Sequence, residues 1–212
     1  MKSIRKAVSV LLVTVFALSI AGCFLKSDVP TAFENAVKSY GIEKVEKRSD
    51  LTKVTAKLTQ EGSGYYVTKD DEEATKNYKS YFGSRKGLPD CEADDFRIVA
   101  IREKGESVLH SATAYTLTFK NADDAKEIFD VMSKVILKNS RAKGTDQGEK
   151  NGYSYALAYE KTTVSTTVRG FYYEDKSITV IQGNSFKNET NAFVEHFCKK
   201  MNYISPADII ED

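Results

Sequence analysis

The cysteines and histidines are the side chains best suited to covalent chemistry in this 212-residue chain, which has three of the first and two of the second. A cysteine hydrolase needs both types within hydrogen-bonding distance. His196 and Cys198 are two positions apart on a predicted helix, so they point about 200° apart around its axis. His110 lies on a predicted strand, and only the fold could bring it to Cys91. The spacing therefore identifies no catalytic residue.

Metal and cofactor motifs are missing from the sequence as well. It has no Cys-x-x-Cys pair, no His-x-x-x-His pair and no Asp-x-Asp-x-Asp-Gly loop, the spacings typical of metal sites. It also lacks Gly-x-Gly-x-x-Gly and Gly-x-Ser-x-Gly. Acidic runs at residues 70–73 and 123–124 begin predicted helices, where the helix dipole favours negative charge. Helix capping explains these acidic runs better than metal binding does, and we expect neither a metal nor a cofactor.

The N-terminus carries an export signal. Lys2, Arg5 and Lys6 precede a mostly apolar run over residues 7–21 that ends in small residues, as in secretory signals. As a helix this run would rise about 22 Å, which is short of the hydrocarbon core of about 30 Å. We therefore predict that residues 1–22 are a cleaved signal peptide and not a transmembrane anchor.

The end of this signal consists of Ile20, Ala21, Gly22 and Cys23 and resembles the lipobox of bacterial lipoproteins. The resemblance implies that Cys23 receives a diacylglyceryl group, carries acyl chains such as palmitate, and becomes the mature N-terminus. Two or three acyl chains hold a protein stably at a membrane. The resemblance therefore implies an extracytoplasmic protein, lipid-anchored to a bacterial membrane. The alternative is an ordinary signal peptide followed by a chance cysteine.

Residues 23–29 form a predicted tether that reaches at most about 25 Å. This short tether keeps residues 30–212, a single predicted domain, close to the membrane.

Export also decides the expectation for the two remaining cysteines. Two thiols in an oxidising compartment usually pair, so we predict a Cys91–Cys198 disulfide. The alternative is two separate thiols, because Cys198 lies on the apolar side of a predicted helix, where a free cysteine packs well.

Apolar periodicity predicts four helices and several strands. The helices are expected between Pro30 and Gly41, from Asp70 to Gly83, from Asn121 onward, and over residues 188–202. The strands are expected at residues 53–59, 65–68, 96–102, 108–119, 153–159, 164–173 and 177–182. Residues 139–152 are a predicted polar loop. Short links favour antiparallel pairing, so we predict the α+β class, with about six to seven antiparallel strands and about four helices packed on them.

Tyrosine is the unusual component, with 12 residues in the chain. Seven of them fall on predicted strands, namely Tyr65, Tyr66, Tyr153, Tyr155, Tyr159, Tyr172 and Tyr173. Because tyrosine is rigid, amphipathic and enriched in binding surfaces, one sheet face is a candidate recognition surface. The alternative is that these rings fill the interface between sheet and helices.

Composition narrows the class of function. The chain has 41% hydrophobic and 29% charged residues, which is typical of a globular domain. Its formal net charge is +1, which gives no electrostatic case for a nucleic-acid partner. We predict a non-enzymatic binding or interaction module of the cell envelope, whose partner is an envelope protein, peptide or glycan. The alternatives are an envelope hydrolase whose carboxylates or His110 converge only in the fold, and an assembly accessory without a small ligand.

Overall fold

A computed structural model describes residues 27–56, 60–83, 85–104, 109–186 and 191–211. These residues contain five helices and seven strands. The helices are α1 (Val29–Ser39), α2 (Arg48–Ala56), α3 (Asp71–Phe82), α4 (Ala122–Leu137) and α5 (Ala192–Met201). The strands are β1 (Gly62–Thr68), β2 (Ala93–Lys104), β3 (Leu109–Phe119), β4 (Gly144–Lys150), β5 (Tyr153–Lys161), β6 (Ser165–Glu174) and β7 (Ser177–Phe186).

All seven strands form one antiparallel sheet in the order β1-β2-β3-β7-β6-β5-β4. β1, β2 and β3 are neighbours in chain order, with α3 between β1 and β2, and β4 to β7 form a meander; α4 connects the two groups along the chain. They meet where β3 pairs with β7, and there the hydroxyl oxygens of Thr116 and Thr179 lie 2.8 Å apart. The predicted α+β class is confirmed, and the described residues contain one helix more than the expected four.

Helices cover both faces of this sheet. On the face that we call the two-helix face, α1 and α5 bury residues such as Phe33 and Phe197. On the opposite face, which we call the three-helix face, α2, α3 and α4 bury Leu51, Tyr78 and Ile128 respectively. Successive side chains of a strand point to opposite faces, so each strand contributes to both cores.

Capping side chains set the start of several helices. The carboxylate of Asp70 accepts a hydrogen bond from the Glu73 N–H at 2.8 Å, which confirms the predicted start of α3. The Asn191 side chain accepts from the Val194 N–H at 3.2 Å. Helix α5 therefore begins at Ala192, later than the apolar pattern indicates, because an N-cap places the first helical residue directly after it.

The predicted strand at residues 53–59, which would pair with residues 65–68 in a hairpin, is wrong over residues 53–56. The first of these segments contributes to α2, and its last three residues lie outside the described residues. The outer edge of β1 is paired at Tyr65, since the Val45 N–H donates to the Tyr65 carbonyl at 2.8 Å and the Tyr65 N–H donates to the Glu43 carbonyl at 3.0 Å. Residues 43–45 therefore occupy the middle of the edge that a hairpin partner would use, and β2 occupies the other edge.

The predicted polar loop at residues 139–152 contains the edge strand β4, which is a second correction. Gly144 and Gly148 stand directly opposite Tyr159 and Tyr155 of β5. A Cβ at these glycines would lie 2.4 Å and 2.9 Å from the tyrosine side chains, so the rings lie across the strand. The tyrosines supply the packing that β4 itself lacks, and the sequence of β4 therefore shows no apolar alternation.

Candidate functional site

The predicted membrane attachment lies outside the described residues, which begin at residue 27. The signal peptide over residues 1–22 and the lipidation of Cys23 therefore stay predictions. Helix α1 begins at Val29 with Asp28 as its N-cap, so the helix starts one residue inside the predicted tether. In the described ranges, no helix is both long enough and apolar enough to span a bilayer.

Cys91 and Cys198 are free thiols, so the predicted disulfide is not formed. Cys91 belongs to the core of the three-helix face and Cys198 to the core of the two-helix face, and the sheet separates them. Burial raises the pKa of Cys91 to about 11 and the pKa of Cys198 to about 12. Both thiols are therefore protonated at neutral pH and are poor nucleophiles.

His110 does not meet Cys91 either. It is buried at 3% exposure and stands opposite Glu103 in the β2–β3 pair. Glu103 is directed to the two-helix face, where its carboxylate accepts a hydrogen bond from the Tyr40 hydroxyl at 2.5 Å. Cys91 lies on the other side of the sheet, so a cysteine–histidine pair is not formed.

His196 has a neighbour that sequence reasoning missed, because 157 positions separate the two residues. Its Nε2 lies 2.9 Å from the Ser39 Oγ. The same Oγ also donates to the Ala36 carbonyl at 3.0 Å, so the hydroxyl is shared between two partners, and the tautomer of His196 sets the donor in the contact with the ring. The contact also lies at the C-terminal end of α1, where the helix dipole disfavours a serine alkoxide. This pair joins α1 to α5 and is not an activated nucleophile.

The seven strand tyrosines do not form the expected recognition surface. Five of them are buried, namely Tyr65, Tyr66, Tyr153, Tyr159 and Tyr172. They also divide between the faces, with Tyr66 and Tyr173 on the three-helix face and the others on the two-helix face. The Tyr172 hydroxyl donates to the Ile204 carbonyl at 2.7 Å. The rings therefore fill the interface between sheet and helices, because alternate strand positions face opposite sides.

A cleft of about 430 Å³ lies on the three-helix face. Helices α2 and α3 pack on β1 and β2, and α4 packs mainly on β5 and β6, so the middle of the sheet is left open. Arg48 and Thr52 of α2 and Tyr81 of α3 form the walls. This volume is in the range of about 300–1,000 Å³ that is usual for small-molecule sites.

The floor of the cleft changes from apolar to polar along the strands. Three cross-strand rows follow one another: Ile98, Tyr115 and Val180; Ala100, Thr113 and Gln182; Ser111 and Asn184. The third row continues on β2 with Arg102, which does not line the cleft. At a rise of about 3.3 Å per residue, the four-residue step from Val180 to Asn184 spans about 13 Å. The cleft thus offers apolar and aromatic contacts at one end and hydroxyl and amide groups at the other.

Aromatic rings form the apolar end. The rings of Tyr81 and Tyr115 stack with centroids 4.5 Å apart. The guanidinium carbon of Arg48 lies 5.2 Å from the Tyr81 centroid and 5.7 Å from the Phe96 centroid, within the distance of cation–π attraction. Burial raises the pKa of the Tyr115 hydroxyl, so this group stays neutral.

Arg48 carries the charge of the cleft. Among the described lining residues it is the only one with an ionic side chain, and within the described part of the chain it forms no ion pair. Gln182 and Asn184 are exposed to solvent at the polar end. The Asn184 Oδ1 accepts a hydrogen bond from the Thr167 hydroxyl at 3.3 Å, which leaves its NH₂ group open to the cleft.

Sequence reasoning did not single out these residues, although β7 carries a signal for some of them. Ile178 and Val180 share a face with Gln182 and Asn184, so one side of a central strand changes from apolar to polar. Such a change indicates that a central strand loses its helical cover. Arg48 had no such signal, because it reaches the cleft through α2.

The acidic runs serve the helices. Asp70 caps α3, and at the start of α4 the Asn121 amide donates to the Asp124 carboxylate at 3.0 Å. Over the described ranges, no group of three or more His, Cys, Asp or Glu side chains is placed to hold a metal ion.

The described residues form an α+β protein whose seven-stranded antiparallel sheet lies between two helical layers. One of the two layers covers its face of the sheet only in part, and the cleft lies on that face. No family model matches the chain, and no curated protein matches it. Among solved structures, the extracellular domain of PknH from Mycobacterium tuberculosis is similar with a TM-score of 0.39 and 11% identity, over 74% of this chain and 90% of that chain. A likeness of this size carries no argument about function.

Proposed function

We propose that this protein is a lipid-anchored, extracytoplasmic binding module of a bacterial cell envelope, and that the cleft on the three-helix face holds its ligand. The cleft carries the proposal, because it places ring faces, hydroxyls and amides in adjacent cross-strand rows beside one half-buried arginine. The export signal and the lipobox that ends at Cys23 support the location.

Binding is favoured over catalysis by the chemistry of the cleft. Its described lining residues include no carboxylate, imidazole or thiol, the groups that most often transfer protons or attack substrates at neutral pH. Arg48 is permanently charged, and the raised pKa of Tyr115 keeps that phenol protonated. These groups orient a ligand and do not exchange protons with it.

Helix α1, which follows the predicted tether, packs on the two-helix face, whereas the cleft lies on the three-helix face. This arrangement suits a presenting role. The Arg97 guanidinium donates to the Pro30 carbonyl at 2.8 Å, which fastens the start of α1 to β2. A short tether then favours an orientation in which the cleft is turned away from the bilayer.

The anchor is tested by growing a bacterial host that produces the full chain with labelled palmitate. We expect label in the wild-type protein and in Cys91→Ser, with both in the membrane fraction. Cys23→Ser should be unlabelled and released. A wild-type protein without label would overturn the lipid anchor.

The cleft is tested with the full-length lipoprotein in detergent, by melting temperature against envelope glycans and peptides. A ligand at about 100 times its Kd stabilises by about 2.7 kcal/mol. A bulky Gln182→Trp substitution on the cleft floor should abolish the shift, whereas Gln147→Trp on the distant edge strand β4 should keep it. A ligand that stabilises both variants equally would place the site elsewhere, and no shift across the panel would contradict a ligand-binding cleft.

A further inference from the structure

We infer that the ligand of this cleft carries one carboxylate, which pairs with Arg48, on a neutral body rich in hydroxyl or amide groups. The inference rests on the proposed function and names the chemical class of its ligand. It follows from an unpaired guanidinium at one end of the cleft and an uncharged polar floor at the other.

Arg48 is held in place without using its hydrogen-bonding capacity. Its guanidinium carbon lies 5.2 Å from the Tyr81 centroid and 5.7 Å from the Phe96 centroid, so cation–π attraction and not a hydrogen bond holds the group. The five N–H donors lie in the plane of the guanidinium, and none of them is bonded within the described part of the chain. A planar guanidinium with free edges matches a carboxylate, which accepts two parallel hydrogen bonds.

The protein's own carboxylates near Arg48 form no ion pair with it in the described part of the chain. Asp70, Glu72 and Glu73 border a neighbouring depression that Arg48 also lines, outside the cleft itself. The Glu73 carboxylate accepts the Tyr66 hydroxyl at 2.9 Å, and the Asp70 carboxylate caps α3. The cleft therefore lacks an internal counter-ion for Arg48, and a ligand carboxylate would supply it.

The rest of the ligand is matched by neutral groups. Gln182 and Asn184 provide amides that both donate and accept, and Thr113 and Ser111 provide hydroxyls. With no acidic side chain among the described lining residues, a second, cationic group on the ligand would find no partner. The floor of about 13 Å accommodates a disaccharide or a tripeptide.

Two kinds of molecule carry this chemistry, a sugar acid and a peptide with a free C-terminus. The test measures binding to the full-length lipoprotein by calorimetry with matched acid and neutral probes. Cellobiouronic acid is compared with cellobiose, and N-acetyl-trialanine is compared with its C-terminal amide. We expect one acid probe to bind at least about tenfold more tightly than its neutral partner, a difference of about 1.4 kcal/mol. The pair that shows this preference identifies the source.

Variants assign the preference to Arg48. Arg48→Gln should abolish the difference in affinity between the acid and neutral probes. Arg48→Lys should keep part of this difference, because lysine carries the charge but cannot donate two parallel hydrogen bonds to the carboxylate. Gln182→Glu adds a negative charge at the polar end of the same cleft and should weaken the acid probe more than its neutral partner. Arg141→Gln, at an exposed position before β4, is the matched control and should keep the full preference. Melting temperatures verify that each variant is folded.

The outcomes separate this inference from the proposed function. If the acid and neutral probes bind equally and Gln182→Trp abolishes the binding of both, the inferred ligand carboxylate is overturned and the proposed binding cleft is retained. A preference that survives Arg48→Gln would overturn the role of Arg48. Failure of all four probes would overturn this ligand class, and the broader ligand panel would then decide on the cleft itself.

Discussion

The two faces of the sheet differ in how completely they are closed. On the two-helix face, α1 and α5 contact each other through Phe33 and Phe197, whose rings meet edge to face at 5.2 Å. The segment after α5 covers the remaining strands, with Tyr203 stacked on Tyr172 at 4.3 Å. The three-helix face has one helix more and is still open over β3 and β7. Closure is therefore decided by where the helices pack and not by their number.

The arginines of the two faces show the same contrast. Arg97 on the two-helix face is 3% exposed and donates to both oxygens of Asp95 at 2.7 and 2.8 Å, with Glu34 as a further partner. Arg48 on the three-helix face is half-buried over aromatic rings without an ion pair in the described part of the chain. A fully buried charge must be paired to be tolerated, whereas a charge at an open cleft can remain available.

The largest difference between the faces should appear on truncating core side chains. Phe197 is fully buried, so Phe197→Ala should lower the free energy of unfolding by about 3–5 kcal/mol. Val180→Ala on the cleft floor should cost only about 1 kcal/mol, because that side chain is partly exposed already. Denaturant unfolding measures both. Equal losses would contradict the difference in closure.

A second comparison replaces each arginine by methionine. Arg97→Met leaves the Asp95 carboxylate buried without its partner and should destabilise by about 3 kcal/mol, whereas Arg48→Met should cost about 0.5–1 kcal/mol of cation–π attraction. Adding Asp95→Asn to Arg97→Met should recover part of the loss, because the unpaired charge is then removed. A double variant as unstable as the single one would indicate that packing, and not charge, is responsible.

Acid should weaken the two-helix face through the carboxylates of α1. A hydrogen bond from Lys38, helped by Arg97, lowers the pKa of Glu34, and a hydrogen bond from the Thr31 N–H lowers the pKa of Asp28. Their stabilisation is therefore present above the ordinary values of 4.5 and 3.8 and is lost as pH falls through the lowered native pKa values. Between about pH 5 and about pH 3, unfolding of the wild type should depend more steeply on pH than unfolding of the double variant Asp28→Asn, Glu34→Gln. Identical slopes would exclude these two groups.

The smallest expected difference concerns the cysteines, one of which lies on each side of the sheet. Neither should react quickly with a thiol reagent in the native protein, and both should react after unfolding without prior reduction. Cys91 is 8% exposed with the lower pKa, and Cys198 is 1% exposed, so Cys91 should be labelled first. Mass spectrometry of timed samples gives the order, and a pair that needs reduction before labelling would show that the disulfide exists.

Local signals in the sequence predicted much of the fold. The ends of α1 and α3 are marked by Pro30, Gly41, Asp70 and Gly83, and the alternation in residues 153–182 indicated the meander of β5, β6 and β7. Capping, periodicity and short turns act within a few residues along the chain. These local signals can therefore be recognised in the sequence without the tertiary structure.

The elements that were predicted wrongly depend on distant partners. Residues 53–59 alternate like a strand, but residues 53–56 belong to α2, and residues 43–45 pair with Tyr65 in the middle of the edge that a hairpin partner would use. Strand β4 has no apolar pattern of its own, because Tyr155 and Tyr159 of its neighbour cover its glycines. In both cases the missing information lies in another segment.

The candidate site depended even more on tertiary structure. The sequence by itself determined the antiparallel α+β class, and it predicts an export signal and a lipobox at Cys23, because each of these patterns lies in neighbouring residues. Only the tertiary structure decided that Cys91 and Cys198 lie on opposite sides of a sheet, and that Arg48, Thr113 and Gln182 line one cleft. These three come from different elements, and sheet order and helix placement, which no local pattern specifies, bring them together.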